Sequence, residues 1–188
     1  MTSTRTIVAL ALLAALSAPA LADDITDAMD QARKSYQAGD LGGAKQSLDL
    51  ASQLIGQKNA EAFATLLPNA LPGWKAEKVQ TTALGAVGFG ASTASRTYNN
   101  PKGDHVEVQI TGDSAMVSQI AAFLNNPAMA GAMGKLVRVG SQRAIQDGEG
   151  NVKMIVASKF LISVEGSADS ASKLAYAQAI DFARLAKM

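Results

Sequence analysis

Through residues 24–63 the apolar positions recur at helical spacing: Ile25, Met29, Ala32 and Tyr36 fall on one run, and Leu41, Ala44, Leu48, Ala51, Leu54 and Ile55 on the next. Gly39, Asp40, Gly42 and Gly43 punctuate the two runs, so the pattern predicts a helical hairpin. Gly56, Gln57 and Lys58 read as a linker to a third short helix over residues 59–67, carrying Phe63, Leu66 and Leu67. Pro68 and Pro72 lack the amide hydrogen that a helix interior needs and bias Leu67 and Leu71 toward extended backbone, which stops the helical run. Gly73 permits a turn. Trp74, the only tryptophan, is expected to be the large apolar anchor of the sheet that follows.

Beyond Trp74 the period shortens to two. Residues 75–82 read as a strand, and residues 92–98 lead through the turn-forming Asn99, Asn100, Pro101, Lys102, Gly103 and Asp104 into a strictly alternating run. There Val106, Val108 and Ile110 face one way, and His105, Glu107 and Gln109 the other. Asp113 and Ser114 then cap a helix over residues 115–124, with Met116, Ile120, Phe123 and Leu124 on its apolar face. Residues 135–145, interrupted at Gly140, and residues 152–164 supply the remaining strands, with a turn at 147–151. Residues 165–170 cap a final helix over 171–186, whose wide apolar face (Leu174, Ala177, Ile180, Phe182, Leu185) should pack on the sheet. The fold class is α+β: a helical hairpin appendage over residues 23–67, then an antiparallel sheet packed with helices over residues 68–188.

Residues 1–22 have the form of a secretory signal peptide. Arg5 precedes an apolar run over residues 7–16, too short for about 30 Å of hydrocarbon, and Ala20 and Ala22 supply the small side chains before a cleavage point after Ala22. No cysteine stands at the junction to carry a thioether lipid. The expected location is the periplasm or the outside of the cell, with no transmembrane segment left after leader removal. The chain carries 17 basic and 16 acidic residues, and losing Arg5 with the leader balances them. No segment clusters Lys and Arg as phosphate binding requires, so nucleic acid is not an expected partner. The absence of cysteine rules out thiol catalysis and thiolate metal sites, and leaves stability to packing.

Candidate chemistry is sparse. Gly85, Gly88 and Gly90 do not have the spacing of a dinucleotide loop, and Ala91 stands where a phosphate-binding loop carries lysine. His105, the only histidine, and Ser114 are the pair a small secreted hydrolase would use, although capping already explains Ser114. Met129 and Met133, one helical turn apart, could hold a soft ion such as Cu(I) together with Met116 or His105, which would make the chain a copper carrier. Methionine more commonly fills adaptable apolar contacts, and Met116, Met129 and Met133 are therefore expected to form a contact surface for a protein or an apolar small ligand. No catalytic residue, metal or cofactor is expected. The hairpin either covers the sheet or offers a groove to a partner; Tyr36, Gly39, Ala44, Leu48 and Ala51 resemble the spacing within one tetratricopeptide repeat.

Pro72, Gly73 and Trp74, then Val139 and Gly140 with Arg143 and Ala144, then Val164, Glu165, Gly166 and Ser167 leading into the last helix, form a further pattern. Over roughly residues 70–187 the chain resembles the PsbP-like sandwich of photosynthetic extrinsic proteins and their bacterial periplasmic relatives. That resemblance implies a non-enzymatic accessory or assembly role. The helical hairpin lies outside it.

Overall fold

The computed structural model describes residues 21–83, 91–112, 117, 121, 131 and 134–188. Two helices, α1 (Leu21–Gln37) and α2 (Leu41–Ala64), precede an antiparallel sheet of eight strands and a C-terminal helix, an α+β arrangement. The strands are β1 (Lys75–Ala76), β2 (Gln80–Ala83), β3 (Ser92–Asn99), β4 (His105–Gly112), β5 (Lys135–Val139), β6 (Gln142–Gln146), β7 (Val152–Val156) and β8 (Phe160–Glu165). They lie in the order β1-β3-β4-β8-β7-β6-β5, with β2 beside β1 on the same edge of β3. Helix α3 (Ser170–Gln178) and the single turn α4 (Phe182–Leu185) close the chain.

Alternation places the core as expected. Val106, Val108 and Ile110 are fully buried, and Val108 and Ile110 stand opposite Val164 and Ile162 of β8. Met154 faces Ile162 in turn, so one continuous apolar layer crosses the sheet. Phe63, Leu66 and Leu67 close this layer from the α2 end, with the Phe63 ring edge-on to Phe160 at 5.5 Å. Gly112 makes that meeting possible, because a Cβ there would stand 2.7 Å from Phe63 and 2.9 Å from Phe160. From the other side Tyr176, Ala177, Ile180 and Leu185 complete the layer.

Three details of the backbone differ from the sequence pattern, each for a local reason. Helix α2 runs unbroken through Gly56, with no linker before residue 59. A side chain at Gly56 would come within 3.2 Å of the Ala83 Cβ, so this glycine lets β2 and β3 approach the helix and does not end it. The first strand is split into β1 and β2, because between them the Glu77 carbonyl accepts the Arg96 Nε–H at 2.8 Å and the Glu77 N–H donates to the Thr97 carbonyl. The last helix breaks at Ala179, and Asp181 caps the following turn by accepting the Arg184 N–H. In a straight helix Ile180 and Leu185 would point about 140° apart; the break lets both face the core.

Trp74 is half-buried and not the main anchor. Tyr98 and Tyr176 are, both fully buried with ring centroids 4.4 Å apart, and Trp74 lies edge-on to Tyr176 at 5.4 Å. Their hydroxyls fasten the loop over residues 68–74: Tyr98 Oη donates to the Pro68 carbonyl at 2.6 Å, and the Leu71 N–H donates to Tyr176 Oη at 3.2 Å. Lys173, buried on α3, ties down the opposite end by donating from Nζ to the Glu149 carbonyl and Asn151 Oδ1, each at 2.8 Å. Among the described residues, no helix is long and apolar enough to cross a membrane.

Candidate functional site

Met116, Met129, Met133 and Ser114 lie outside the described residues. His105 is the first residue of β4 and is exposed. Its partner is Ser167, a serine not singled out as a hydroxyl for it: Ser167 Oγ stands 3.0 Å from Nδ1 and also accepts the His105 N–H at 3.0 Å. Register explains the meeting, because Glu107 pairs with Glu165 and the chain leaving β8 then passes beside the start of β4. Among the described residues, no carboxylate hydrogen-bonds the ring in the way a hydrolytic triad orients its base. Likewise, no group of three or more His, Asp or Glu among the described residues could hold a metal ion.

On the polar face of the sheet, Glu165 accepts from Ser163 Oγ at 2.6 Å and pairs with Lys153 at 3.0 Å. The Ser163 hydrogen bond, with Lys153 adding to it against a smaller desolvation effect, holds the Glu165 carboxyl below the usual carboxylate range. This is a local ladder of paired polar groups.

Among the described residues, six of the eight exposed large hydrophobic side chains lie on the hairpin. Helices α1 and α2 meet along a seam of small residues, Ala28 and Ala32 against Ala44 and Ala51, all buried, with Ser35 beside Gly43. Gly39 adopts a left-handed turn at φ 78° and Asp40 caps α2 by accepting the Gly43 N–H at 2.9 Å, which folds α2 back on α1. The small seam draws the helices together and pushes the large apolar side chains out of it. Met29 is 53% exposed, Tyr36 69%, Leu41 66%, Leu48 55% and Ile55 41%.

A helix turns about 100° per residue, so Ile25, Met29 and Tyr36 lie roughly 70° round from the seam of α1. Leu41, Leu48 and Ile55 are displaced from the seam of α2 by a similar angle in the same sense. Because the helices are antiparallel, equal displacements bring both stripes to the same side of the hairpin. They form one apolar face, with the alanine seam as its floor. Arg33 on α1 and Lys45 on α2 border it, ion-paired to Asp30 at 3.1 Å and to Asp49 at 2.6 Å. Helix α2 turns a different aspect, Gly56 and Phe63, toward the sheet domain. Among the described residues, helix α1 packs chiefly against α2.

The sequence pattern contains these residues, but as members of the apolar period and not as an outward face. The signal that separates them is size: alanines fill the inward positions of both helices while Met, Tyr, Leu and Ile take the neighbouring stripe. No family model matches this chain, and no curated protein or solved structure matches it either, so its function has to be argued from its own surface.

Proposed function

We propose that this chain is a non-enzymatic binding or accessory protein of the periplasm or cell exterior that works by surface contact, with the hairpin face as its contact surface. The observation that carries this reading is the concentration of Met29, Tyr36, Leu41, Leu48 and Ile55, all more than two-fifths exposed, on one side of two helices. Monomeric proteins rarely leave more than a few hundred Å² of contiguous apolar surface in water unless something occupies it. The leader supports the location. The accessory role implied by the PsbP-like pattern over residues 70–187 points the same way, and the hairpin adds a surface that the pattern lacks.

The reading is tested by placing a photo-crosslinking amino acid at position 48 in the exported protein and irradiating intact cells. Position 50, also exposed but on the far side of α2, is the control. A discrete adduct from position 48 and none from position 50 supports a contact face there. No adduct from position 48 or from position 36 overturns it.

A further inference from the structure

Strands β5 and β6 turn on Gly140 and Ser141, with Gly140 at φ 59° and Ser141 outside the left-handed region, the pattern of a type II′ turn. A two-residue turn makes Val139 and Gln142 a hydrogen-bonded pair, and the pairs alternate from there. Val137 exchanges hydrogen bonds with Ala144, whereas Arg138 with Arg143 and Leu136 with Ile145 are non-hydrogen-bonded pairs. That phase has two consequences. Arg138 and Arg143 stand in the closer kind of pair, with Cα atoms about 4.5 Å apart and both side chains on one face. The backbone N–H and C=O of Leu136 and Arg138 point away from β6, and β5 ends the sheet on that side, so these groups meet an open edge.

Leu136, Arg138 and Arg143 are all exposed. Among the described residues neither arginine has an ion pair, whereas Lys153 on β7 is held by Glu165. Like charges directly opposite each other across a ladder are unfavourable. Arginine on an edge strand discourages indiscriminate pairing, which accounts for Arg138. It does not account for Arg143, whose strand is already paired on both sides. Neighbouring strands lie about 4.8 Å apart, so a glutamate on a strand added beside Arg138 has its backbone roughly 10 Å from that of Arg143, within the joint reach of the two side chains. Its two oxygens can take one guanidinium each, which turns the repulsion into attraction. Val139, fully buried, and Val137, packed on the core, hold β5 from the other face, so the edge is in place before anything binds.

We propose that the free edge of β5 accepts an extended acidic peptide of a partner protein as an added strand. The peptide hydrogen-bonds the backbone of Leu136 and Arg138, sets a glutamate against Arg138 and Arg143, and lays an aliphatic side chain on Leu136. Positions on one face are two residues apart, so the recognised unit is a glutamate and an aliphatic residue with one residue between them. This site does not rest on the hairpin face.

The test is an NMR titration of the exported protein with an end-blocked peptide that carries glutamate and leucine in that spacing, in both orders. Saturable amide shifts centred on Leu136 and Arg138, with a Kd on the order of 100 µM, are expected from one of the two orders. Arg143→Gln should weaken binding at least about threefold. Arg138→Glu with Arg143→Glu should abolish it and should take the lysine counterpart of the peptide instead. Leu136→Pro removes an outward amide where an edge strand tolerates proline, and should weaken binding with both arginines in place. Thermal unfolding checks that each variant is folded. No shift at β5 up to about 2 mM peptide, equal binding of the glutamine counterpart, or full binding by the double variant overturns the proposal. Free glutamate or anionic lipid vesicles that shift the same amides where the peptide does not would mark a small-anion or membrane site, and the added strand would be refuted. Crosslinking from position 48 reports on the hairpin face alone, so the two readings fail separately.

Discussion

Replacing Tyr98 with phenylalanine removes one oxygen from the centre of the core and nothing else. The ring stays fully buried against Tyr176 at 4.4 Å, so no cavity opens and the apolar contacts persist. What is lost is the 2.6 Å hydrogen bond to the Pro68 carbonyl, an acceptor that is itself buried and has no water to turn to. A buried acceptor left without a donor is destabilising by about 1–3 kcal/mol. For a chain of this size that corresponds to a fall in Tm of roughly 3–10 °C.

The same hydroxyl makes a second, independent prediction. Burial pushes the Tyr98 phenol up from 10.0 to about 12, against partial opposition from the Arg96 charge. The folded state thus holds the proton more tightly than the unfolded state. The stabilisation is complete below pH 10, declines between pH 10 and 12, and is gone above that, an effect of about 2–3 kcal/mol. Tyr176, raised by burial as well, adds a decline of the same sign. Urea unfolding followed by the fluorescence of Trp74, which lies against Tyr176, measures both effects in one experiment. Tyr98→Phe should be less stable than wild type at pH 7 and should lose less stability between pH 9 and about pH 11.5. Equal stability at pH 7, or an unchanged alkaline slope, would refute the role assigned to this hydroxyl.

Other substitutions test other parts of the fold. Ser92 is fully buried and its Oγ has no hydrogen-bond partner among the described residues, so Ser92→Ala should raise the urea midpoint by the equivalent of about 1 kcal/mol. Ala157 and Ser158 turn β7 into β8 at φ 52° and 57°, a conformation that disfavours both, and the pair Ala157→Asn with Ser158→Gly should stabilise by about 1 kcal/mol in the same assay. Lys173→Met keeps most of the side-chain volume on α3 but removes the donor to Glu149 and Asn151. It should lower stability by about 1–3 kcal/mol and speed amide exchange in the β6–β7 turn, while exchange at β3 and β4 follows only the global change.

Alternation made the sheet legible, because period two assigns Val106, Val108 and Ile110 to one face whatever lies over them. The proline-rich stretch at 68–72 marked the end of the helices for an equally local reason, the missing amide hydrogen. Gly56 was misleading because glycine has two uses, to loosen a helix or to admit a neighbour, and only the position of Ala83 across the fold shows which applies. Tyr98 and Tyr176 were missed for a related reason. They are 78 residues apart, and their shared task of holding the loop at 68–74 exists only once β3 and α3 have been brought together. His105 was placed correctly beside its turn, yet its neighbour is Ser167, because β4–β8 pairing and not sequence proximity decides which serine reaches it.

The hairpin shows the limit of periodicity most clearly, and the limit can be measured. A helical period reports which residues are apolar, whereas which of them form the seam depends on how closely the two axes approach, and that is set by side-chain volume. If the alanines are the seam, enlarging one must force the helices apart: Ala51→Leu, at a position 3% exposed, should destabilise by about 1–3 kcal/mol through overpacking. If the large residues stand outside, trimming one must leave the fold nearly untouched: Leu48→Gln, at a position 55% exposed, should change stability by less than about 0.5 kcal/mol. Were the apolar period alone to decide, the order would reverse, because leucine would be the core residue and alanine the bystander. Chemical denaturation of the two variants side by side distinguishes these cases. A larger loss in Leu48→Gln than in Ala51→Leu would show that the large stripe faces inward and that the hairpin has no contact face to offer.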